Sequence, residues 1–532
     1  MQKVCGLAIT LAIVHGTMIA ISGMGRAQAP FAEYDLIIRG GSVLDGTGAA
    51  ATRTDLGISG DRIVTVGRIP PSARARRSID ATNLTVSPGF IDVHSHAAKG
   101  LSGALSDAIP LLAQGVTTVF INPDGGGPID LTAQRKALEA RRVGVNIGQF
   151  VPQGSVRAEV MGLADRDPTA DEAMRMTQLV RAGMDAGGLG LSTGLYYAPG
   201  SYTKTDEIVT LAKVAAEYGG VYSSHIRDEA DYNIGVVAAV DEVIRIAEQA
   251  HIRAVVSHMK ALGPANWGRS VDLVAAIDRA RSRGLQVFAD QYAYDASGTS
   301  VVAALVPRWA EAGGRRVMLE RVNGADAARI RAAIVDNIAR RGGPEKMVVS
   351  DYAPDHTLEG RSLADIARLR STEVVDVVVD LLQRGDPGLV SFNMSEDDIV
   401  RIMHQSWTMT CSDGELTSPG SGKPHPRGYG AFARKLGLYA RDRQVIGLAQ
   451  AVHSMSGLPA TVFGLKDRGA IREGAVADVV VFDAARIRDT ATYTEPQQLA
   501  DGVRYVLVNG DMAFDNGKAT GHRAGRFVSP QR

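Results

Sequence analysis

Gly89-Phe90-Ile91-Asp92-Val93-His94-Ser95-His96 is an apolar run that ends in two histidines. Side chains two apart on an extended segment share a face, so both imidazoles point the same way and can share one ion. A lone His-x-His pair has little specificity; its meaning depends on what arrives beside it. The run reads as the end of a strand from Val86 to Val93, and further short apolar runs follow at Val116 to Ile121, Asn146 to Val151, Gly188 to Ser192, Gly220 to Ser224, Arg253 to Ser257, Gln286 to Asp290 and Thr408 to Cys411. Helical stretches separate them. That alternation predicts a parallel sheet with crossover helices, and eight strands are the number that closes a (β/α)8 TIM barrel of the α/β class.

Active sites on such a barrel are built at the carboxyl ends of the strands. His225 follows the fifth strand, His258 the sixth and Asp413 the eighth, joining His94 and His96 after the first. Imidazole suits zinc, a carboxylate both ligates and moves protons, and an open coordination position lowers the pKa of a bound water toward about 7. Thr117-Thr118-Val119-Phe120-Ile121-Asn122-Pro123-Asp124-Gly125 puts Asp124 at the end of the second strand, as a ligand or as a turn aspartate before Gly125-Gly126-Gly127. No Lys-Ser or Lys-Thr follows those glycines, so they are not a phosphate cradle. His251, His356, His404, His453 and His522 fall off the rim and read as structural or surface groups.

On either side of the barrel, expected over residues 85–463, the texture changes. Residues 34–84 are short alternating runs broken by Gly40-Gly41, Asp45-Gly46 and Gly60-Asp61, and the same texture returns in Ala477 to Phe482 and Val503 to Gly510. Hairpins at both ends predict one composite β-sandwich from residues 30–84 and 464–532. The gap from Asp290 to Thr408 is too long for a plain connection; its amphipathic stretches, such as Ala327 to Val335, predict an inserted helical lid over about 301–405.

The first 29 residues stand apart: Lys3, an apolar run from Val4 to Ile21, then Gly25-Arg26-Ala27 and Ala27-Gln28-Ala29. This is a signal-peptide pattern with cleavage expected after Ala27, which places the mature chain in the periplasm or outside the cell with no stable membrane anchor after processing. The other reading is an uncleaved anchor, since the run approaches the ~20 residues of a span. Of the two cysteines, Cys5 would leave with the leader, so Cys411 has no internal partner. Lys plus Arg and Asp plus Glu number 58 each, which excludes the basic field a nucleic-acid partner requires.

Taken together, Gly89 to His96, Ser224-His225-Ile226-Arg227-Asp228-Glu229, Ser257-His258-Met259-Lys260, Cys411-Ser412-Asp413-Gly414 and His425-Pro426-Arg427 resemble the N-acyl-D-amino-acid deacylases of the amidohydrolase superfamily. Gly194-Leu195-Tyr196-Tyr197-Ala198-Pro199-Gly200 and the stretch from Gly457 to Asp478 extend the resemblance over most of the chain. It implies one or two zinc ions, held tightly on His225 and His258 and more weakly at His94 and His96, with Asp413 as acid and base. It also implies that Lys260 and Arg427 bind substrate, and a guanidinium fork suits a free α-carboxylate. Tyr292, in Asp290-Gln291-Tyr292-Ala293-Tyr294, is a third substrate-binding candidate beside a packing role at the rim.

One departure stands out: the family carries a cysteine ligand where this chain has Asp124, and zinc accepts either donor. The expected reaction is hydrolysis of a linear amide in N-acyl-D-amino acids or in dipeptides with a carboxyl-terminal D-residue. The alternatives are a cyclic-amide hydrolase akin to dihydroorotase or hydantoinase and a catalytically silent binding protein. Arg427, and the lack of a lysine on strand four, speak against the cyclic substrate.

Overall fold

The apolar runs form the staves of a barrel, and the chain lays them down in order. A computed structural model describes residues 33–531; the leader expected over residues 1–29, with Cys5, lies outside them. The staves are β1 Phe90–Asp92, β2 Val116–Ile121, β3 Asn146–Gln149 with its continuation Val151–Pro152, and β4 Gly190–Gly194. They continue as β5 Val221–His225, β6 Arg253–Val256, β7 Val287–Gln291 and β8 Thr408–Thr410.

All pairings between neighbours are parallel. The third strand changes partner at Phe150, the segment before it pairing with β2 and the one after it with β4. The ring closes just past the strand ends, where the Asp413 N–H donates to the His94 carbonyl (2.9 Å) and the His96 N–H to the Gly414 carbonyl (3.0 Å). Backbone bonds thus hold three of the candidate ligands side by side.

The outer helices follow from apolar spacing. Val236–Ala250 buries Val236, Ala239, Val240, Val243 and Ala247 on one stripe at three- and four-residue intervals. It stops where His251 turns left-handed (φ 51°), so that histidine serves as a helix end. Ala170–Asp185 begins at a capping box, Thr169 accepting from the Glu172 N–H while Glu172 accepts from the Thr169 N–H. Among the described residues no helix is long and apolar enough to cross a membrane.

The expected first strand, Val86 to Val93, divides between two sheets. Thr85–Pro88 pairs antiparallel with Val479–Phe482, whereas Phe90–Asp92 begins the barrel. Pro88 has no N–H with which to extend a ladder. Gly89, between them, passes so close to β2 that a Cβ there would lie 2.1 Å from Thr117 Oγ1. The crossing needs a glycine.

Thr85–Pro88 thereby enters a nine-stranded mixed sheet built from both chain ends. Within it Tyr34–Val43 runs parallel to Ala75–Asp80 through its first half and parallel to Thr85–Pro88 beyond the irregularity at Gly40-Gly41. Leu36, Ile38, Leu56, Ile58, Val479 and Leu507 fill the apolar interior of this composite layer.

The insertion before β8 is largely helical, with Val301–Leu305, Arg315–Asn323, Ala327–Arg340, Leu363–Arg370 and Val374–Arg384. It also holds a sheet that the sequence reading did not expect, in which Gly388–Ser391 pairs antiparallel with Ser297–Ser300 on one side and Met347–Asp351 on the other. Val301, Leu305, Ile330, Ile334, Leu381 and Leu389 form a core of its own. The last helix, Glu396–Met403, packs back on the barrel, burying Ile399 and Met403 in the apolar core that the barrel strands share with their neighbours.

Candidate metal centre

A cavity of about 690 Å³ opens at the carboxyl ends of the strands, roofed by Ser297 to Ser300, Leu389 and Val390 of the insertion. His96, Asp124, His225, His258 and Asp413 line it, and His94 lies beneath them with no exposed surface. The expected ligands therefore converge, although they come from five different strand ends.

They form two groups that share one carboxylate. His94, His96, Asp124 and Asp413 offer ligand atoms within 4.8 Å of one another, and so do Asp124, His225 and His258. Asp124 Oδ1 lies 3.4 Å from His94 Nε2, 3.6 Å from His258 Nε2 and 3.9 Å from His225 Nδ1. Asp124 Oδ2 is 3.4 Å from His96 Nε2, and Asp413 Oδ1 is 3.2 Å from that nitrogen and 3.5 Å from His94 Nε2. Asp124 occupies the bridging place between the groups.

Backbone strain fixes this arrangement. Asp124 (φ 54°), His258 (φ 33°) and Asp413 (φ 49°) are all left-handed, a conformation that costs a non-glycine residue about 1–3 kcal/mol and persists only where the surroundings impose it. The clamps are visible. Asp290 Oδ1 accepts from the His258 N–H at 2.6 Å, and Asp92 accepts from the Ser412 N–H at 2.8 Å and the Ser412 hydroxyl at 2.5 Å. The turn that carries Asp124 is held by Ser192, whose hydroxyl donates to the Asn122 carbonyl (2.7 Å) and accepts from the Gly125 N–H (3.2 Å).

The donor set fits a metal ion. Both ring nitrogens of His94 and of His225, together with Asp124 Oδ1, are buried without a hydrogen-bond partner. Buried polar groups are nearly always satisfied, so several orphans aimed at one place mark a site for a ligand that bonds them. Charge tells the same story. Burial opposes a charged His96, but the contacts with Asp124 and Asp413 outweigh it and push its pKa up to about 10. His258 is likewise carried to about 9 against burial, by Asp413, Asp124 and Glu229. At His225 burial dominates and lowers it to about 4. The paired carboxylates demand positive charge between them, which protons supply on the rings and a divalent cation supplies in their place.

Glu229, present in the motif but given no role in the sequence reading, belongs to this centre. Its Oε1 lies 3.1 Å from His258 Nδ1 and 2.6 Å from Lys260 Nζ, and its Oε2 lies 3.7 Å from His225 Nε2. Lys260 Nζ lies 2.6 Å from the same His258 Nδ1, so Glu229 and Lys260 together fix the ring from that side while its Nε2 faces Asp124 Oδ1 at 3.6 Å. Only its place four residues after His225 hinted at this.

The expected substrate-binding residues line the same cavity with their polar groups already engaged. Lys260 Nζ meets Glu229 and also donates to the His258 carbonyl at 2.8 Å. Arg427 donates to Asp413 Oδ2 at 2.5 Å, and its guanidinium lies 4.8 Å from the centroid of the Tyr292 ring. Tyr292 is buried and its hydroxyl reaches the Met394 sulfur at 3.6 Å. His425 holds the loop that presents Arg427, its Nδ1 accepting from the Arg427 N–H at 3.1 Å. His356, His404 and His522 are exposed, and His453 Nδ1 bonds the Gly46 carbonyl at 2.8 Å; all lie outside both groups.

The amidohydrolase family profile matches residues 77–514. The N-acyl-D-glutamate deacylase of Alcaligenes xylosoxydans xylosoxydans is 36% identical over 517 residues, covering 93% of this chain and 96% of that one. The D-aminoacylase of the same organism is 33% identical over 526 residues, covering 94% and 99%. The crystal structure of the N-acyl-D-glutamate deacylase from Bordetella bronchiseptica, complexed with zinc and a phosphonate mimic of the tetrahedral intermediate, superposes with a TM-score of 0.80 at 34% identity over 93% of this chain and 99% of that one.

Proposed function

The chain belongs to the amidohydrolase family, and from that premise we propose that it is a zinc-dependent hydrolase of linear amides that deacylates N-acyl-D-amino acids. Dipeptides with a carboxyl-terminal D-residue present the same bond and the same free carboxylate. The observation that carries the reading is the pair of ligand groups joined by Asp124 beneath a cavity that also holds Arg427 and Asp413.

Zinc held by Asp124, His225 and His258, with His94, His96 and Asp413 as a second group, would supply Lewis acidity toward the scissile carbonyl and lower the pKa of a water. The chain's own residues do the rest. Asp413 is held well below the usual carboxylate range by Arg427 and the imidazoles around it, in spite of its burial, so it is ionised. It takes a proton from the attacking water and returns it to the leaving nitrogen, so that the C–N bond breaks as an N–H bond forms. Glu229 orients His258, and Lys260 neutralises Glu229. Arg427 both orients Asp413 and offers positive charge to an α-carboxylate. Strand β4, Gly190–Gly194, brings only Gly, Leu, Ser and Thr, so it has no lysine of the kind a cyclic-amide site would call for.

The direct test is a screen of N-acetyl-D- and N-acetyl-L-amino acids with the zinc-loaded enzyme. Hydrolysis of D-substrates that a chelator abolishes is expected; a metal-free chain that hydrolyses none of them overturns the reading.

Two variants test the parts. Because Asp124 serves both groups, Asp124→Ala is expected to weaken metal binding by at least about tenfold, while Asp124→Cys retains a site of softer character. Wild-type metal affinity in Asp124→Ala would make Asp124 a turn residue and nothing more. Arg427→Ala is expected to lower kcat on every substrate, because Asp413 loses its partner, and to raise KM for free acids about tenfold or more beyond the change for the matching amides. Equal KM changes on acids and amides would remove Arg427 from carboxylate recognition.

A further inference from the structure

Among the described residues lining the cavity, the Lys and Arg side chains are Lys260, Arg341 and Arg427. Two are matched to carboxylates, Lys260 to Glu229 at 2.6 Å and Arg427 to Asp413 at 2.5 Å. Arg341 has no carboxylate within ion-pair distance: Glu229, already matched to Lys260, attracts it only from farther away, and the Tyr232 ring centroid lies 5.7 Å from its guanidinium. Arg341 is 2% exposed, its Nε–H meets no acceptor, and its remaining bonds go to neutral oxygens: Ser391 Oγ at 3.2 Å and the Tyr196 hydroxyl at 3.5 Å. Of the cavity's other carboxylates, Asp124 faces the histidines and Asp351, Asp386 and Glu415 are exposed; none makes an ion pair with Arg341.

A buried guanidinium without a counter-charge is destabilising, and an apolar side chain of similar volume would fill the space at lower cost. Its position explains its presence. Arg341 ends the insertion's helix Ala327–Arg340 and reaches down to Tyr196, whose ring stacks 5.6 Å from that of His225. The charge thus stands one aromatic ring from the candidate metal ligands, on the β5 side of the barrel. Arg427 and Asp413 stand after β8, across the ring.

We propose that Arg341 is a subsite for a second carboxylate on the substrate, so that the enzyme prefers N-acyl-D-amino acids carrying two carboxylates. This rests on the deacylase reading above. The second carboxylate comes either from the amino-acid side chain or from a dicarboxylic acyl group, and a guanidinium fork binds both in the same way.

The test measures kcat/KM of the zinc-loaded enzyme on two pairs: N-acetyl-D-glutamate against N-acetyl-D-glutamine, and N-succinyl-D-leucine against N-acetyl-D-leucine. A preference for the dicarboxylate of roughly ten- to a hundredfold is expected in one pair, and that pair identifies the source. The ratio should collapse toward unity in Arg341→Met and be partly kept in Arg341→Lys. Since each ratio is taken within one variant, loss of folded enzyme cancels. Matched rates within both pairs, or a ratio unchanged in Arg341→Met, overturn the subsite and leave the deacylase reading standing. If no compound is hydrolysed, the deacylase reading fails, and calorimetric binding of the same four compounds decides the subsite alone. A dicarboxylate preference abolished by Arg341→Met then supports it, and equal binding overturns it.

Discussion

Purified His225→Ala and His258→Ala are expected to lack both zinc and hydrolysis. The two rings stand at the ends of adjacent strands with centroids 4.5 Å apart, and with Asp124 they make up a complete three-residue group. A catalytic zinc is typically held by three protein ligands, so removing one leaves a pair that cannot keep the ion through purification. Metal content is expected to fall below about a tenth of the wild-type value, since disturbing even the outer partners of a metal ligand costs 10–100-fold in affinity. Elemental analysis beside an activity assay checks this, with circular dichroism to show that the barrel is intact. Full zinc occupancy in either variant would dismiss these histidines as the essential ligands.

Asp413→Asn should separate chemistry from metal binding. Asp413 lies outside the group of Asp124, His225 and His258, so zinc there should persist. The amide keeps the shape and can still accept from Arg427, but it cannot take a proton. Turnover is therefore expected to fall by about 10²–10⁴-fold, the usual weight of a general acid–base group. Stopped assays at saturating substrate, run beside metal analysis of the same samples, give both quantities. Near-normal turnover with intact zinc would send the search for the base elsewhere on the rim.

The staves of the barrel and the histidines at their ends were legible in the sequence because both are local signals: an apolar run, then a ligand where it stops. The crossing at Gly89 was not: Pro88-Gly89 is a local break signal inside Val86 to Val93, but that the two halves go to different sheets shows only in the pairing with Val479–Phe482 and the close approach of Thr117. The insertion's sheet escaped for a related reason: Met347–Asp351 and Gly388–Ser391 are short and set among strongly helical stretches. Asp124 was recognised as a candidate, yet its bridging place depends on a left-handed turn clamped by Ser192 from β4, which no local pattern encodes. Arg341 was invisible: beside Arg340, at the end of an amphipathic helix, it reads as one more solvated cation until the fold buries it.

The crossing at Gly89 also limits how this chain can be cut. Thr85–Pro88 and Phe90–Asp92 are one covalent run serving two sheets, and Val479–Phe482 flanks the first of them. A truncation that discards the terminal sheet would free the entry to β1, and the two histidines that follow β1 would lose the anchor that sets their height on the rim. The smallest excisable catalytic fragment is therefore not the barrel by itself. It has to retain strands from both ends of the polypeptide, and a graft of this centre onto another barrel would have to import that anchor with it.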